Sequence, residues 1–511
     1  MSFKITFIGA GSIGFTRTLL RDLLTVPEFR DLQVAFTDIS ATNLEMVRQL
    51  CQRDIEAGGL AIKIQATTDR RQALQGARYV FCTVRIGGLE AFAHDVDIPL
   101  EYGIDQCVGD TLCVGGVFYG QRGIAALLDF CRDIREVAEP GALLLNYANP
   151  MAMMTWAANV YGGVRCVGLC HGVQHGHKQI ADVIGVLTGA KVDKKDVDII
   201  CAGINHQTWY TQVLYQGKDW TGKLLEGFRR HPEYSRTEKT RIDVLERFGY
   251  YSTESNGHLS EYLAWYRKRP DELKNWIDLG TWIDGETGGY LRVCTEGRTW
   301  FETDFPQWMT EPAKKFDPAE RSEEHGSYIL EGLETGRVYR GHFNVVNGTT
   351  ITNLAPDAIV EVPGYVDHNG INIPRVGNLP LGAAAVCNQS ISVQRLAVEA
   401  AVHGNADYLK QALLLDPLTG AVCTPPEVWQ LADDLLIAEA PWLPQYADEV
   451  KAAKARRTQA ARVGTRLPTR EGNRGSARLE VRSLEQMRQT ASEERARAGN
   501  TDKAAKDPRE R

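Results

Sequence analysis

The sequence predicts an α/β protein with a doubly wound, largely parallel sheet, followed by a second α+β region. Three observations carry this prediction. Short apolar runs alternate with helical stretches up to residue 169, the first run ends in Gly9-Ala10-Gly11-Ser12-Ile13-Gly14, and the second ends in Asp38. Alternation of that kind is how parallel sheets covered by helices are built.

The elements follow in order. Residues 4–10 read as a buried strand entering a glycine turn, and Leu19, Leu20 and Leu23 mark the apolar stripe of the next helix. Residues 33–38, 79–84, 142–146 and 164–169 continue the strand series, with a helical pattern over 118–137. Strands recur at 197–202 and near 338–362 among long helices. The expected division is 1–195 for a dinucleotide-binding domain, 196–450 for an α+β substrate, metal and oligomerisation domain, and 451–511 for a disordered basic tail. The first two together would be arranged as in lactate and malate dehydrogenases.

At 511 residues the chain exceeds one ordinary core. Apolar content of 43% and charged content of 24% fit a globular enzyme. No apolar run reaches the roughly 20 residues that span a bilayer. The start, Met1-Ser2-Phe3-Lys4, has no signal-peptide pattern, and eleven cysteines lack a disulfide-scaffold spacing, so a reduced cytoplasmic protein is expected. The net charge of −7 is uneven: residues 451–511 hold 17 Lys/Arg against 8 Asp/Glu, leaving 41 against 57 in the rest. From about Thr458 the tail has no aromatics on which bases would stack, and the acidic body disfavours nucleic acid as a partner.

Gly9, Gly11 and Gly14 stand where a strand meets a helix, the context the dinucleotide fingerprint requires. The expected roles are the tight turn, close approach to the pyrophosphate, and helix–strand packing, with Ser12 beside the helix N-terminus. Asp38 would accept the ribose hydroxyls and repel a 2′-phosphate, favouring NAD over NADP.

Cys170, after the strand at 164–169, and His206 offer a thiolate and an imidazole, donors that suit a transition metal rather than Mg²⁺. Taken alone, a buried cysteine and a hydrogen-bonded core histidine would look the same. Asn149 lies just past a strand end and is placed to bond a substrate hydroxyl; as a residue before proline it also suits a plain turn.

The chain resembles glycoside hydrolase family 4, the NAD- and divalent-metal-dependent glycosidases that depart from two-carboxylate hydrolysis. The segments carrying the resemblance are Phe7-Ile8-Gly9-Ala10-Gly11-Ser12, Asn146-Tyr147-Ala148-Asn149-Pro150-Met151-Ala152-Met153, Gly168-Leu169-Cys170-His171-Gly172-Val173-Gln174 and Cys201-Ala202-Gly203-Ile204-Asn205-His206. Thr253-Glu254-Ser255, Glu261-Tyr262, Val360-Glu361-Val362-Pro363 and Leu415-Asp416-Pro417 follow in order. The resemblance implies NAD and a divalent metal, Mn²⁺ or another transition metal, with Cys170 and His206 as metal ligands and Asn149 as a substrate contact. It implies His171 as the group assisting departure of the aglycone and Tyr262 as the base at sugar C2. His258, four residues before Tyr262, shares its helical face and is either a partner of the site or a core histidine. The implied route is oxidation at C3, proton removal at C2, elimination, water addition and return of the hydride. A homodimer or homotetramer is the implied assembly.

Within the family the chain is most similar to the α-galactosidase branch, which reads Ser where Gly172 stands. Gly172 would enlarge the sugar pocket, as in α-glucuronidases and some α-glucosidases. Phospho-sugar branches carry Asp or Asn in place of His171. A uronate would need a cation, for which Arg85 and the run Arg267, Lys268, Arg269 are candidates, although Arg85 also suits cofactor phosphates and the run a solvated helix face. The expected order is α-galactoside, then α-glucuronide or α-galacturonide, then α-glucoside. Two rivals remain: a 2-hydroxyacid dehydrogenase, marked by net NADH formation, and a non-catalytic NAD- or sugar-sensing protein, which would have no use for Cys170, His206, Asn149 and Tyr262 together.

Overall fold

The computed structural model describes residues 2–469, except 278–280, 282–283 and 298–299, together with 482, 483, 485, 486 and 489. Six strands, β1 (Lys4–Ile8), β2 (Gln33–Thr37), β3 (Ile64–Thr67), β4 (Tyr79–Cys82), β5 (Leu143–Asn146) and β6 (Arg165–Gly168), lie parallel in the order β3-β2-β1-β4-β5-β6. This is the doubly wound order, whose strand sequence reverses between β1 and β4 and leaves a crevice beyond the strand ends there. Strand side chains alternate between faces. Phe7, Phe81 and Leu145 therefore pack with Leu19, Leu20 and Leu23 of the helix Ile13–Leu24. Ile8, Val80, Cys82 and Leu144 pack on the other face with the helices Cys113–Val137, Met151–Val160 and Leu381–His403.

Beyond β6 the same sheet continues with antiparallel strands. β11 (Tyr339–Val346), β12 (Ile359–Asp367), β7 (Val197–Ile204), β8 (Gln207–Tyr215) and β10 (Tyr251–Ser252) follow in that spatial order. β9 (Lys218–Asp219) pairs with β8 and β13 (Gly370–Asn372) with β12, making thirteen strands among the described residues. Two seams hold this extension. β6 meets β11 through Gly168 and Asn344, and β12 meets β7 through Glu361 and Gly203. Asn344 and Glu361 are themselves opposite each other, so one transverse row crosses both seams. The sequence reading found the strands at 197–202 and near 338–362 but missed β3, β8 and β10. β3 and β10 are only four and two residues long, and β8 mixes Gln207, Thr208, Thr211 and Gln212 with aromatics because it is buried through polar contacts as well as apolar ones.

The expected tail begins later than the sequence indicated. Helix Ala447–Val463 runs through Thr458, and beyond it Arg466 pairs with Asp434 at 2.7 Å while the Leu467 N–H donates to Gln430. Its alanines and alternating Lys/Arg propagate a helix well, and Val450 and Ala453 bury one side. Apart from residues 482, 483, 485, 486 and 489, the tail from 470 lies outside the described residues. Among the described residues no helix is long and apolar enough to cross a membrane.

Arg122 of helix Cys113–Val137 ties three segments together. It is fully buried, donates to both carboxylate oxygens of Asp95 (2.9 and 2.6 Å), and also pairs with Glu439. Burial raises the pKa of Asp95 and Glu439. Removing one member of a buried charge cluster leaves the others uncompensated, at a cost of about 3–5 kcal/mol. Arg122→Met should lower unfolding free energy by that amount in urea titrations; a change below about 1 kcal/mol would show that the carboxyls neutralise without it.

Candidate active site

The dinucleotide turn is built as its sequence requires, with one difference. Gly9 has φ +84°, and a Cβ there would lie 2.8 Å from the Thr83 carbonyl oxygen, so only glycine makes this turn. A Cβ on Gly11 would meet Asp38 Oδ2 at 2.8 Å. The Gly11 N–H donates to that oxygen and the Ser40 N–H to Oδ1, which fixes the carboxylate at the end of β2. Gly14 does not serve helix–strand packing: a Cβ there would meet nothing within 4 Å. It faces open space at the N-terminus of helix Ile13–Leu24, where Ser12 makes no capping bond with its side chain. That is a cradle for an anionic group at the positive end of the helix. Ile39, next to Asp38, is fully exposed and offers an apolar surface beside the carboxylate.

Three other turns converge on one point. Cys170 follows β6, His206 sits in the turn between β7 and β8, and Glu254 follows β10. Their donor atoms lie within 4.8 Å of one another, with Cys170 Sγ 3.5 Å and His206 Nε2 3.6 Å from Glu254 Oε2. Sulfur, imidazole and carboxylate at this spacing fit a divalent transition metal. Burial pushes the Cys170 thiol well above its ordinary range, and the Glu254 and Glu361 carboxylates push it further. A cation between the donors would reverse this. The Gly172 N–H, at the start of helix Gly172–Thr188, points at Cys170 Sγ from 3.4 Å and also favours the thiolate.

The imidazole of His206 is oriented from behind. Its Nδ1 lies 3.2 Å from Thr111 Oγ1 and 3.4 Å from Tyr262 Oη. The Thr111 hydroxyl donates to Asp110 Oδ1 at 2.8 Å, leaving its oxygen to accept from Nδ1–H. The Nε2 lone pair then faces Cys170 and Glu254. Asp110 Oδ2 accepts from Asn149 Nδ2 at 2.9 Å, so one buried carboxylate links Asn149 to His206. His258 packs its ring 5.2 Å from that of His206 and 6.1 Å from that of Tyr262, with Nδ1 2.6 Å from Ser255 Oγ. Burial lowers its pKa to about 4. Tyr262 is fully buried, and burial drives its phenol well above the usual range. His171 is more than half exposed and lies 3.4 Å from Glu324 Oε1. Its hydrogen bond to Glu324 raises its pKa to about 9, and its exposure means that solvent screens the pair.

Below this point lies a row of buried polar side chains. Asn205 Nδ2 donates to Glu361 Oε2 at 3.1 Å. Glu361 Oε1, Asn205 Oδ1 and Asn344 Oδ1 are buried without partners when the carboxyl is ionised. Burial raises Glu361 to about 8, and a proton held there supplies the missing donor.

Cys170, His206, Tyr262, His258, His171 and Asn149 are thus brought to one site. Arg85 stands apart from the metal donors: its guanidinium touches Tyr119 Oη (3.1 Å), Tyr290 Oη and Cys294 Sγ (both 3.3 Å). The run at 267–269 is not one solvated face. Arg267 is fully buried and bound to Asp105, Ser260 and the Gly285 carbonyl, while Arg269 pairs with Glu272. The expected enlargement at Gly172 is also corrected: a Cβ there would fall 2.1 Å from Glu254 Oε2, so the carboxylate of Glu254 fills the space. Sequence reasoning missed Glu254 as a donor and gave no role to Thr111, Asp110 or Glu324. Glu254 lay within a quoted motif, and its role as a donor depended on knowing that Gly172 lies beneath it. Gly172→Ala should displace Glu254 and weaken Mn²⁺ binding at least tenfold in calorimetric titration while sparing NAD; unchanged affinity would remove Glu254 from the donor set.

Comparison with known proteins identifies the family. Residues 4–186 match the model of family 4 glycosyl hydrolases, and residues 201–419 match that family's C-terminal domain. An alpha-galactosidase of Rhizobium meliloti is 58% identical over 489 residues, covering 95% of this chain and 97% of that protein. An alpha-galactosidase of Bacillus subtilis is 32% identical over 444 residues, covering 87% and 99%. In fold, the chain is similar to the 6-phospho-beta glucosidase of Thermotoga maritima solved with manganese, NAD+ and glucose-6-phosphate. The TM-score is 0.69 at 21% identity, over 86% of this chain and 99% of that one. A 6-phospho-alpha-glucosidase from gut microorganisms, in complex with NAD and glucose-6-phosphate, gives a TM-score of 0.69 at 23% identity, over 87% and 99%. With both parts of the family model matched along its length and a relative identical at more than half of the aligned positions, the chain belongs to the family 4 glycosyl hydrolases.

Proposed function

We propose that this chain is an exo-acting α-galactosidase that uses NAD and a divalent transition metal, Mn²⁺ above others. The observation that carries the reading is the convergence of Cys170, His206 and Glu254, at the same edge of the sheet from which the Gly9–Gly14 turn leaves β1. The choice of sugar rests on the 58% and 32% identical relatives, both alpha-galactosidases. A uronide is disfavoured, since Glu254 adds negative charge where Gly172 had promised space and Arg267 is committed to Asp105.

When bound, NAD⁺ supplies a hydride acceptor and the metal a Lewis acid for the sugar oxygens. The chain's residues do the rest. The Gly9–Gly14 turn and the following helix N-terminus hold the pyrophosphate, and Asp38 accepts the ribose hydroxyls. Asn149, held by Asp110, presents its carbonyl oxygen to a sugar hydroxyl. Tyr262 takes the C2 proton. A buried phenol ionises near neutrality only with positive charge close by, and Tyr262 stands one imidazole away from the metal donors. His171, kept protonated by Glu324, gives its proton to the departing glycosidic oxygen. His258 borders the same space, and Arg85, held by Tyr119 and Tyr290, is kept as a further substrate contact. We place the protein in the cytoplasm as a homodimer or homotetramer. No two of the eleven cysteines are joined in a disulfide and ten are buried, which suits a reducing compartment.

The test is nitrophenol release from nitrophenyl α-galactoside under reducing conditions. It should require both NAD⁺ and Mn²⁺ and leave no net NADH; release without NAD⁺ would refute the redox route, and release only from a uronide would replace the sugar. Cys170→Ser should abolish metal-dependent release with NAD binding intact. His171→Ala should slow methyl α-galactoside by about 10²–10⁴ but the nitrophenyl substrate far less, because nitrophenolate leaves without a proton. Equal losses on both substrates would take His171 out of the acid role.

A further inference from the structure

Three consecutive residues at the start of helix His325–Thr335 touch three separate parts of the site. Glu324 Oε1 lies 3.4 Å from His171 Nδ1. His325 Nε2 lies 3.0 Å from the Cys170 carbonyl oxygen. The Gly326 N–H donates to Tyr147 Oη at 2.9 Å, two residues before Asn149. A Cβ on Gly326 would fall 2.5 Å from Phe81 Cε1 and 2.9 Å from Tyr147 Oη, so glycine is what lets this turn approach so closely.

We infer that His325 is a positioning residue for the metal ligand Cys170, acting through the Cys170 carbonyl. A carbonyl oxygen only accepts, so His325 Nε2 carries the proton. In the neutral ring Nδ1 is then an acceptor, and the Tyr339 hydroxyl, 2.6 Å away, donates to it. The chain Tyr339 O–H to His325 to Cys170 C=O therefore has one direction and one tautomer. His325 is buried, and its ring packs 5.8 Å from that of Phe343, which leaves it little room to turn. Cys170 lies between the end of β6 and helix Gly172–Thr188. At that corner, anchoring the carbonyl fixes the 170–171 peptide plane, and with it the directions in which the Cys170 thiolate and the His171 ring project. Outer partners of this kind hold a ligand in the geometry the metal needs before it arrives.

This inference rests on the reading of Cys170 as a metal ligand, and the experiment separates the two. Mn²⁺ affinity is titrated on the full-length, NAD-saturated protein. His325→Phe keeps the ring and removes the donor; it should weaken Mn²⁺ binding on the order of 10–100-fold with NAD affinity unchanged. His325→Gln restores an N–H where Nε2 stood and should return Mn²⁺ affinity to within about threefold of the parent. Parent-like affinity in His325→Phe, or a loss in His325→Gln equal to that in His325→Phe, overturns the inference. If His325→Phe does not fold, Tyr339→Phe carries the test: it releases the tautomer and should weaken Mn²⁺ by about threefold to tenfold, and parent-like affinity overturns the inference. Cys170→Ser is the reference: if it binds Mn²⁺ as the parent does, the ligand reading falls and this inference with it. Loss in Cys170→Ser beside parent-like His325→Phe removes the positioning role alone.

Discussion

The site depends on one row of backbone pairing that crosses the sheet from β2 to β8. Thr37, Ile8, Cys82, Asn146, Gly168, Asn344, Glu361, Gly203 and Thr208 are successive partners along it. Most of the candidate functional residues lie a few residues beyond a member of this row. Gly9 follows Ile8, Asp38 follows Thr37, Arg85 follows Cys82, Asn149 follows Asn146, Cys170 follows Gly168, and His206 follows Gly203. Thr253, bonded to Thr208, delivers Glu254. Backbone hydrogen bonds set strand register to a fraction of an ångström, and short connections carry that accuracy to the turns. Loss of register in any strand would move its functional residue by a residue step, more than a metal site tolerates.

The two seams show how a parallel sheet was extended without losing its crevice. Glycines occupy the outer positions of both, and neither can be enlarged. A Cβ on Gly168 would meet Thr155 Oγ1 at 2.5 Å, and one on Gly203 would meet the Gln207 carbonyl oxygen at 2.4 Å. Between them stand Asn344, which donates to the Gly168 carbonyl, and Glu361, which accepts from Asn205. Burial raises the pKa of Glu361 to about 8, which favours a neutral carboxyl between the two seams. Gly172 extends the same economy of space, since its missing side chain is the place where the Glu254 carboxylate sits.

Much of this was legible in the sequence. The apolar runs found the parallel strands, and the glycine fingerprint with Asp38 located the cofactor end, because local backbone geometry dictates those residue types. The segment Gly168–Gln174 and the pair Asn205-His206 pointed to a metal and a sugar through family resemblance. Less legible was anything formed by contact across the fold. Arg267 read as surface charge and is buried against Asp105, 162 positions away. Gly172 read as pocket space and is covered by Glu254, a side chain 82 positions downstream. Gly14 matched the motif, yet it faces open space rather than a strand. Thr458 read as tail and belongs to a helix, since that helix packs along the helix Pro425–Ala438, to which Arg456 is tied through Asp433.

By itself the sequence determined the class of fold, the cofactor turn, and the types of side chain available for chemistry, because strand period, glycine conformation and donor identity are local properties. The tertiary structure decided which donors meet. Cys170, His206 and Glu254 come from three turns whose separation depends on sheet register, and the partners of Cys170 and His206, His325 and Thr111, arrive from a helix and a loop far along the chain. Distances of a few ångströms between residues a hundred positions apart are set by packing and hydrogen bonding of the whole core, which no local pattern encodes.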